Sequence, residues 1–282
     1  MSTTAIVGRP TGFTTGQDET TVERWKRVWE YRNILGLLVT RDIKVRYAGR
    51  VLGYLWTVIE PLANALIYWF VFAKILHRHV GYPPFILFLV AGQLAWYWIN
   101  GSVSGALGAL KGESSMVRSS NVPREIYVLR VVLSRGVTYV FSVPVLVIFA
   151  AGYQKPPTIY ILLLPLAVLL TVVLTTGLGL ILAPASVLVP DISSVVRIFM
   201  RVLFFGSPIL YSVYFASSRL GSLAPIVYWN PISGIMILYR VMFYPQEMDW
   251  PVVWHSVVIC FAILGIGLWA FNRMERPMLK EI

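Results

Sequence analysis

The chain has 282 residues, of which 57% are hydrophobic and 13% charged, and its mean hydropathy is +0.70. About a quarter of a soluble domain is charged, so these values exclude a soluble globular protein and make lipid the solvent for much of the chain. The formal net charge is +11, but the cations lie between apolar runs rather than on one basic face, which argues against a nucleic-acid partner and for membrane topology.

The chain opens on a polar tail, residues 1–22. Its first sixteen residues are rich in Thr and Gly, contain no apolar signal-peptide core and are expected to be disordered. Residues 23–45 read as an amphipathic helix on the cytoplasmic membrane surface. Over 23–39, Trp25, Val28, Trp29, Arg32 and the run from Leu35 to Leu38 mix aromatic, basic and apolar positions at helical spacing. Arg41, Lys44, Arg46 and Arg50 follow and are placed to meet anionic head groups.

A spanning helix needs about 20 mostly apolar residues. Six stretches qualify: 51–76, 84–110, 127–151, 159–183, 198–216 and 252–271. Pro83, Pro84, Pro156, Pro157 and Pro251 fall at or near starts, where a missing backbone donor costs little. With a cytoplasmic N-terminus, nine Lys and Arg precede Val51, five lie between 111 and 135, Arg197 and Arg201 follow, and three lie between 273 and 280. Only Lys74, Arg78, Lys155, Arg219 and Arg240 fall outside. The positive-inside rule therefore places both termini in the cytoplasm.

Residues 224–244 are apolar enough for a seventh span, but Asn230-Pro231 breaks them, since Pro disfavours helix at the residue before it. Each half is too short to cross. A seventh span would also move Arg273, Arg276 and Lys280 outside. The segment is expected to be a short re-entrant helix pair on the outer face between the fifth and sixth spans, with Tyr228, Trp229, Asn230 and Pro231 as an outer gate; a surface amphipathic cap is the alternative. Broken backbone at membrane depth persists only inside protein or beside a wet cavity.

Several chemistries are missing. No G-x-x-x-x-G-K-[ST] occurs, so the chain cannot cradle nucleotide phosphates in a P-loop. The fingerprint-like stretch Gly265-Ile-Gly-Leu-Trp-Ala270 lies inside a span and is read as coincidence. No H-E-x-x-H or C-x-x-C is present, and Cys260 is the sole cysteine, so no metal site, disulfide or catalytic residue is expected. His77, His79 and His255 read as interfacial.

Glu60 is the one carboxylate inside a span, costly in lipid and therefore a functional candidate, with Arg135, Arg197 or Arg201 as its partner. Gly101, Gly105, Gly108 and Gly112 line one face of the second span and predict close packing. Aromatics recur in the first span at Tyr54, Tyr68 and Phe72, with Pro61, and in the fifth at Phe204, Tyr211 and Phe215, with Pro208. Such rings suit a sugar conduit, because they offer broad apolar faces and, in Tyr, a polar tip; lipid-facing or packing rings are the alternative. On the inner face, 113–120 predicts a short helix able to dock on another protein.

The stretch Arg41-Asp-Ile-Lys-Val-Arg-Tyr47, followed by Leu52-Gly53, Trp56 and Glu60-Pro61-Leu62, resembles the opening signature of ABC-2 type polysaccharide and polyol phosphate export permeases. Ser120-Asn-Val-Pro-Arg-Glu-Ile-Tyr127 resembles their cytoplasmic coupling segment, and Asn230-Pro231 with Arg240 the pattern before their last span. The resemblance implies an all-α integral membrane fold, with residues 46–282 as the ABC-2 type transmembrane domain of an inner-membrane protein. It implies a homodimer with two copies of a P-loop ATPase, ATP and magnesium acting on that partner and no cofactor on this chain. The ATPase-coupling segment would comprise Glu113, Ser114, Met116, Val117, Arg118, Asn121, Pro123 and Arg124. Arg46 and Arg50 would contact the diphosphate of a polyprenyl-linked glycan such as O-antigen, teichoic acid or galactan. The overall wording looks closest to the galactan-exporting permeases of mycobacteria and their relatives. Two rival classes are an ion-coupled secondary transporter, for which no inverted repeat is visible, and an integral-membrane glycosyl- or acyltransferase, for which Glu247 and Asp249 make a poor acid cluster.

Overall fold

The computed structural model describes residues 21–48, 52–75, 77, 80–119 and 122–281, and every regular element among them is helical. Residues 1–20 of the expected tail, Arg50, His79 and Asn121 lie outside the described residues, as does the side chain of Tyr54, while the last two tail residues begin the first helix. Helices α1 (Thr21–Glu30) and α2 (Arg32–Tyr47) meet at Tyr31, so the expected interface helix is two helices. Val28 and Leu38 pack on Ile126 and Leu129, while Trp29 and Leu37 stay exposed, as an interfacial helix requires.

Helix α3 (Trp56–Trp69) runs on through a wider turn, Phe70–Ile75, and reaches spanning length. Helix α4 (Phe85–Ala106) is the centre of the bundle: 83% of its most apolar window is buried, against 11% for α3. After a short turn at Lys111–Glu113 comes α5 (Ser114–Ser119), the expected short inner helix. Helix α6 (Glu125–Gly152) follows, and then α7 (Leu164–Leu188), whose span begins in a tight turn at Ile159.

Gly101 and Gly105 sit against α6, where an added Cβ would meet Arg135 at 3.0 Å and Val131 at 2.7 Å; Gly108 and Gly112 lie beyond the end of α4 and join no such contact. The small-residue face is therefore a contact within the chain.

The chain then departs from expectation. Helix α8 (Ile192–Gly206) starts six residues before the expected fifth span and stops ten residues short of its end. Ser207 is extended, at φ −106° and ψ 153°, because Pro208 disfavours helix at the residue before it. Helices α9 (Val213–Leu220) and α10 (Ala224–Tyr228) form one arm, and α11 (Pro231–Arg240) the other, bent by 104° at Asn230-Pro231. The bent pair thus starts at Val213 rather than at 224. Arm α11 is buried from Ile232 to Arg240, which rules out a surface cap.

Helix α12 (Trp250–Glu281) closes the bundle and packs along α7. At their crossing a Cβ on Gly177 would lie 2.8 Å from the backbone of Leu264, and one on Gly267 would strike Gly177, so only glycine permits the approach. The fingerprint-like glycines are thus packing residues of a helix. Among the described residues five helices are long and apolar enough to cross a membrane, or six if the bent pair is one span. Helix α8, with 15 residues, falls short on length alone.

Candidate functional site

Three groups of residues carry the chemistry. The first lies at the basic end of the bundle. Arg41 Nη1 donates to Glu113 at 3.3 Å, with a second, shorter bond between the two groups. Arg130 Nη1 donates to Asp42 at 2.8 Å and lies 3.2 Å from Glu113. The hydrogen bond that Arg41 donates to Glu113, more than any other cause, holds the Arg41 guanidinium above its ordinary value. Four charges from α2, the turn before α5, and α6 are thereby tied into one junction. On its far side Arg124 donates to Glu275 of α12 at 2.8 Å. Val117 is buried against Tyr127, Phe271 and Met278, and Met116 packs beside it. Pro123 is buried; Ser114 is half-buried and Arg118 exposed. Helix α5 therefore stands on a platform to which α2, α6 and α12 all contribute.

The second group lines two cavities that share Glu60 and Tyr97. One, of about 240 Å³, lies among α2, α3, α4 and α6, with Arg46, Arg135, Trp56 and Tyr139 on its walls. The other, of about 550 Å³, runs between α3, α4 and α8, past Asn64, Gln93, Asn100, Arg197 and Arg201. Polar and charged side chains at membrane depth are costly, which makes these residues candidates for function. Tyr68 and Trp96 each pack on Phe204 with ring centroids 5.6 Å apart. Asn64 Nδ2 donates to the Tyr97 hydroxyl at 2.7 Å. Arg46 donates to Thr138 at 3.1 Å and to Ser134 at 3.3 Å.

Among the described residues Glu60 makes no ion pair. Of the three partners expected for it, Arg135 lines the smaller cavity with it, and Arg197 and Arg201 the larger.

The third group closes the opposite end. Asn230 caps α11, its Oδ1 accepting from the Ile232 amide at 3.0 Å while Nδ2 donates to Ser207 at 2.8 Å. Pro231 starts α11, Tyr228 ends α10, and exposed Trp229 stacks on His255 at 4.5 Å. Arg240 is wholly buried, donates to the carbonyls of Pro208 and Ile209, and lies over Phe88 at 3.8 Å. Gly92 makes room for it, since a Cβ there would collide with its guanidinium. Glu247 stands 3.5 Å from Arg240. Burial is the first cause that lifts the Glu247 carboxyl to about 7, against the opposing pull of Arg240.

The expected aromatic sets are only partly brought together. Tyr68 and Phe204 meet at the larger cavity, while Phe72 packs on the common core and is not among the residues lining that cavity. Tyr211 lies beyond the end of α8, its hydroxyl donating to the Phe205 carbonyl at 2.8 Å. Phe215 belongs to α9, under Arg219 at 5.7 Å. The helical spacing from Phe204 to Phe215 therefore spans two helices and is not one face, a correction that follows from the break at Ser207. Sequence reasoning missed the Arg41–Asp42–Arg130–Glu113 junction and the Arg240–Glu247 pair. A visible signal for the latter was Glu247 seven residues after Arg240 in an otherwise apolar stretch.

The model of the family described as ABC-2 type transporter matches residues 34–244. The chain is 29% identical over 259 residues to the O-antigen export system permease protein RfbA of Myxococcus xanthus, covering 91% of this chain and 96% of that protein. It is 25% identical to RfbA of Klebsiella pneumoniae, covering 86% and 92%. It is 26% identical to the polysialic acid transport protein KpsM of Escherichia coli, covering 86% and 94%.

Proposed function

The chain belongs to the ABC-2 type transporter family, and from that membership we propose that it is the membrane subunit of an exporter that moves a lipid-linked polysaccharide across the inner membrane. It is a transport subunit rather than an enzyme: ATP and magnesium act on a separate P-loop ATPase, two copies of which pair with two copies of this chain. Both termini face the cytoplasm, so the basic end of the bundle meets the ATPase. A glycan of the O-antigen or capsule class is the cargo, and a galactan is the first to test.

The observation that carries this reading is the ion-paired junction beneath α5. An ATPase moving α5 and residues Glu113 to Arg124 would pull directly on α2 through Arg41 and Asp42, on α6 through Arg130, and on α12 through Glu275. The Arg46 group would meet the carrier diphosphate, together with Arg50. The rings at Tyr68 and Phe204 would line the lumen, and Tyr228 to Pro231 would gate its outer end.

The cavities support pairing with a second copy. The larger one lies between α3 and α8, whose outer faces expose Ile59, Leu66, Phe70, Ile198, Phe199 and Val202. Glu60, Arg197 and Arg201 facing hydrocarbon would be costly; a second copy laid against α3 and α8 encloses them in a shared, wet path.

The test is a tagged pull-down from native membranes in mild detergent. A P-loop ATPase recovered near one-to-one, with ATP hydrolysis in the complex and ATP-dependent movement of lipid-linked glycan into vesicles, is the expected result. A permease that is stable alone and recovers no such ATPase overturns it.

A further inference from the structure

The smaller cavity contains an electrostatic imbalance. Arg46 and Arg135 both line it, and among the described residues neither makes an ion pair with a carboxylate. Arg46 is aimed by two neutral hydroxyls, Thr138 at 3.1 Å and Ser134 at 3.3 Å. The Nε of Arg135 is buried without a hydrogen-bond partner. Gly101 lets the Arg135 side chain lie flat on α4, since a Cβ there would come within 3.0–3.2 Å of three of its atoms. Two like charges share this half-buried site with the single carboxylate of Glu60, so one positive charge is left uncompensated in the empty protein. A phosphate between them reverses that, because guanidinium forks bind its oxygens in pairs.

The remaining wall is aromatic and hydroxylated, with Trp56, Tyr97 and Thr57. That is the chemistry of a sugar ring beside a phosphate. At about 240 Å³ the cavity is smaller than the roughly 300–1,000 Å³ of a site for a drug-sized ligand. It fits a phosphorylated head and not a chain.

We propose that this cavity binds the phosphate-bearing head of the glycan carrier, with Arg135 and Arg46 as its two cationic ligands and Trp56 and Tyr97 against the first sugar. The inference rests on the export reading and goes beyond it by naming Arg135 and the cavity. Glu60, the carboxylate on the rim, repels the bound anion and sets the boundary between this head site and the larger path.

The experiment uses the full complex with its ATPase in phosphatidylcholine nanodiscs, titrated with inorganic pyrophosphate and, separately, with farnesyl diphosphate. Binding is read by calorimetry and the ligand-free unfolding midpoint by differential scanning fluorimetry. Arg135→Gln and Arg46→Gln each lose about tenfold or more in affinity, the worth of a charge-assisted hydrogen bond. Arg135→Lys falls between them and wild type, and Glu60→Gln binds more tightly. Lys155→Gln, at the opposite end of the bundle, is unchanged. The ligand-free midpoint of Arg135→Gln is equal to or above that of wild type, because an unpaired charge has been removed.

Affinity of Arg135→Gln within about twofold of wild type overturns the site, since even one hydrogen bond to a charge is worth more. Equal losses for Lys155→Gln overturn it as diffuse charge. Lowered ligand-free midpoints for both Arg135→Gln and Glu60→Gln overturn it in favour of a structural ion pair. Competition by phosphatidylglycerol nanodiscs as strong as by farnesyl diphosphate assigns the cavity to bulk lipid and overturns it too. Failure of the underlying reading looks different: wild type then moves no glycan. If wild type exports and Arg135→Gln exports at the same rate, only the site is lost.

Discussion

Glu247 should give the folded protein a pH dependence that a single substitution removes. Its carboxyl is lifted from 4.5 to about 7, first by burial and against the pull of Arg240. Neither oxygen accepts a hydrogen bond among the described residues. Between these two values the folded protein keeps a proton that the unfolded chain has released, so stability is greatest at the acidic side and falls as pH rises through about 7. A displacement of that size corresponds to a loss on the order of 3 kcal/mol. For a chain of this length each kcal/mol moves the unfolding midpoint by about 2–4 °C. The assay is a thermal midpoint in phosphatidylcholine nanodiscs, whose zwitterionic head group does not titrate here, at pH 5 and at pH 8. Wild type should lose several degrees across that interval and Glu247→Gln almost none. His255, stacked on Trp229 nearby, is present in both proteins and cancels in the difference. A Glu247→Gln protein with the wild-type slope would refute the argument.

Replacing Arg240 by Met strands Glu247 and the carbonyls of Pro208 and Ile209, so a loss of about 3–5 kcal/mol is expected; the double variant Arg240→Met with Glu247→Gln should recover part of it in the same midpoint measurement. Gly177→Val drives a branched side chain into the backbone at Leu264; overpacking of about 1–3 kcal/mol should lower yield and midpoint, with Ala intermediate. Asp42→Ala removes the acceptor of the 2.8 Å bond from Arg130 without touching the surface of α5, so the complex should still hydrolyse ATP while exporting less glycan per ATP, read in inverted vesicles. Asn230→Ala removes both the α11 cap and the tie to Ser207; a cap alone is worth about 1 kcal/mol, and faster hydrogen exchange should appear at the start of α11.

Helix identity was legible wherever one helix supplies its own signal. Apolar windows near 20 residues located α3, α4, α6, α7 and α12, and Pro231 located the bend, because lipid exposure and a missing backbone donor are local facts. The fifth span was misplaced for the complementary reason. Phe204, Tyr211 and Phe215 keep helical spacing through Ser207, and periodicity does not register the backbone change that Pro208 imposes on the residue before it.

The charges were legible as a side of the membrane and not as partners. Arg130 and Asp42 are 88 positions apart and Arg41 and Glu113 are 72 apart, so only packed helices bring them together. Arg240 shows the limit of counting: scored as an outer-face charge, it is fully buried and fixes the break after α8. The same physics separates the two kinds of arginine. At a paired one, such as Arg130 or Arg240, the chain has supplied the counter-charge, and the residue holds helices in place. At Arg135 the chain has supplied a glycine for clearance and, in the same cavity, one carboxylate, Glu60, shared between two arginines and ion-paired to neither among the described residues. Two arginines sharing one carboxylate inside a membrane bundle leave a charge that an anion from outside the chain would complete, and on the export reading proposed above the cargo would carry one.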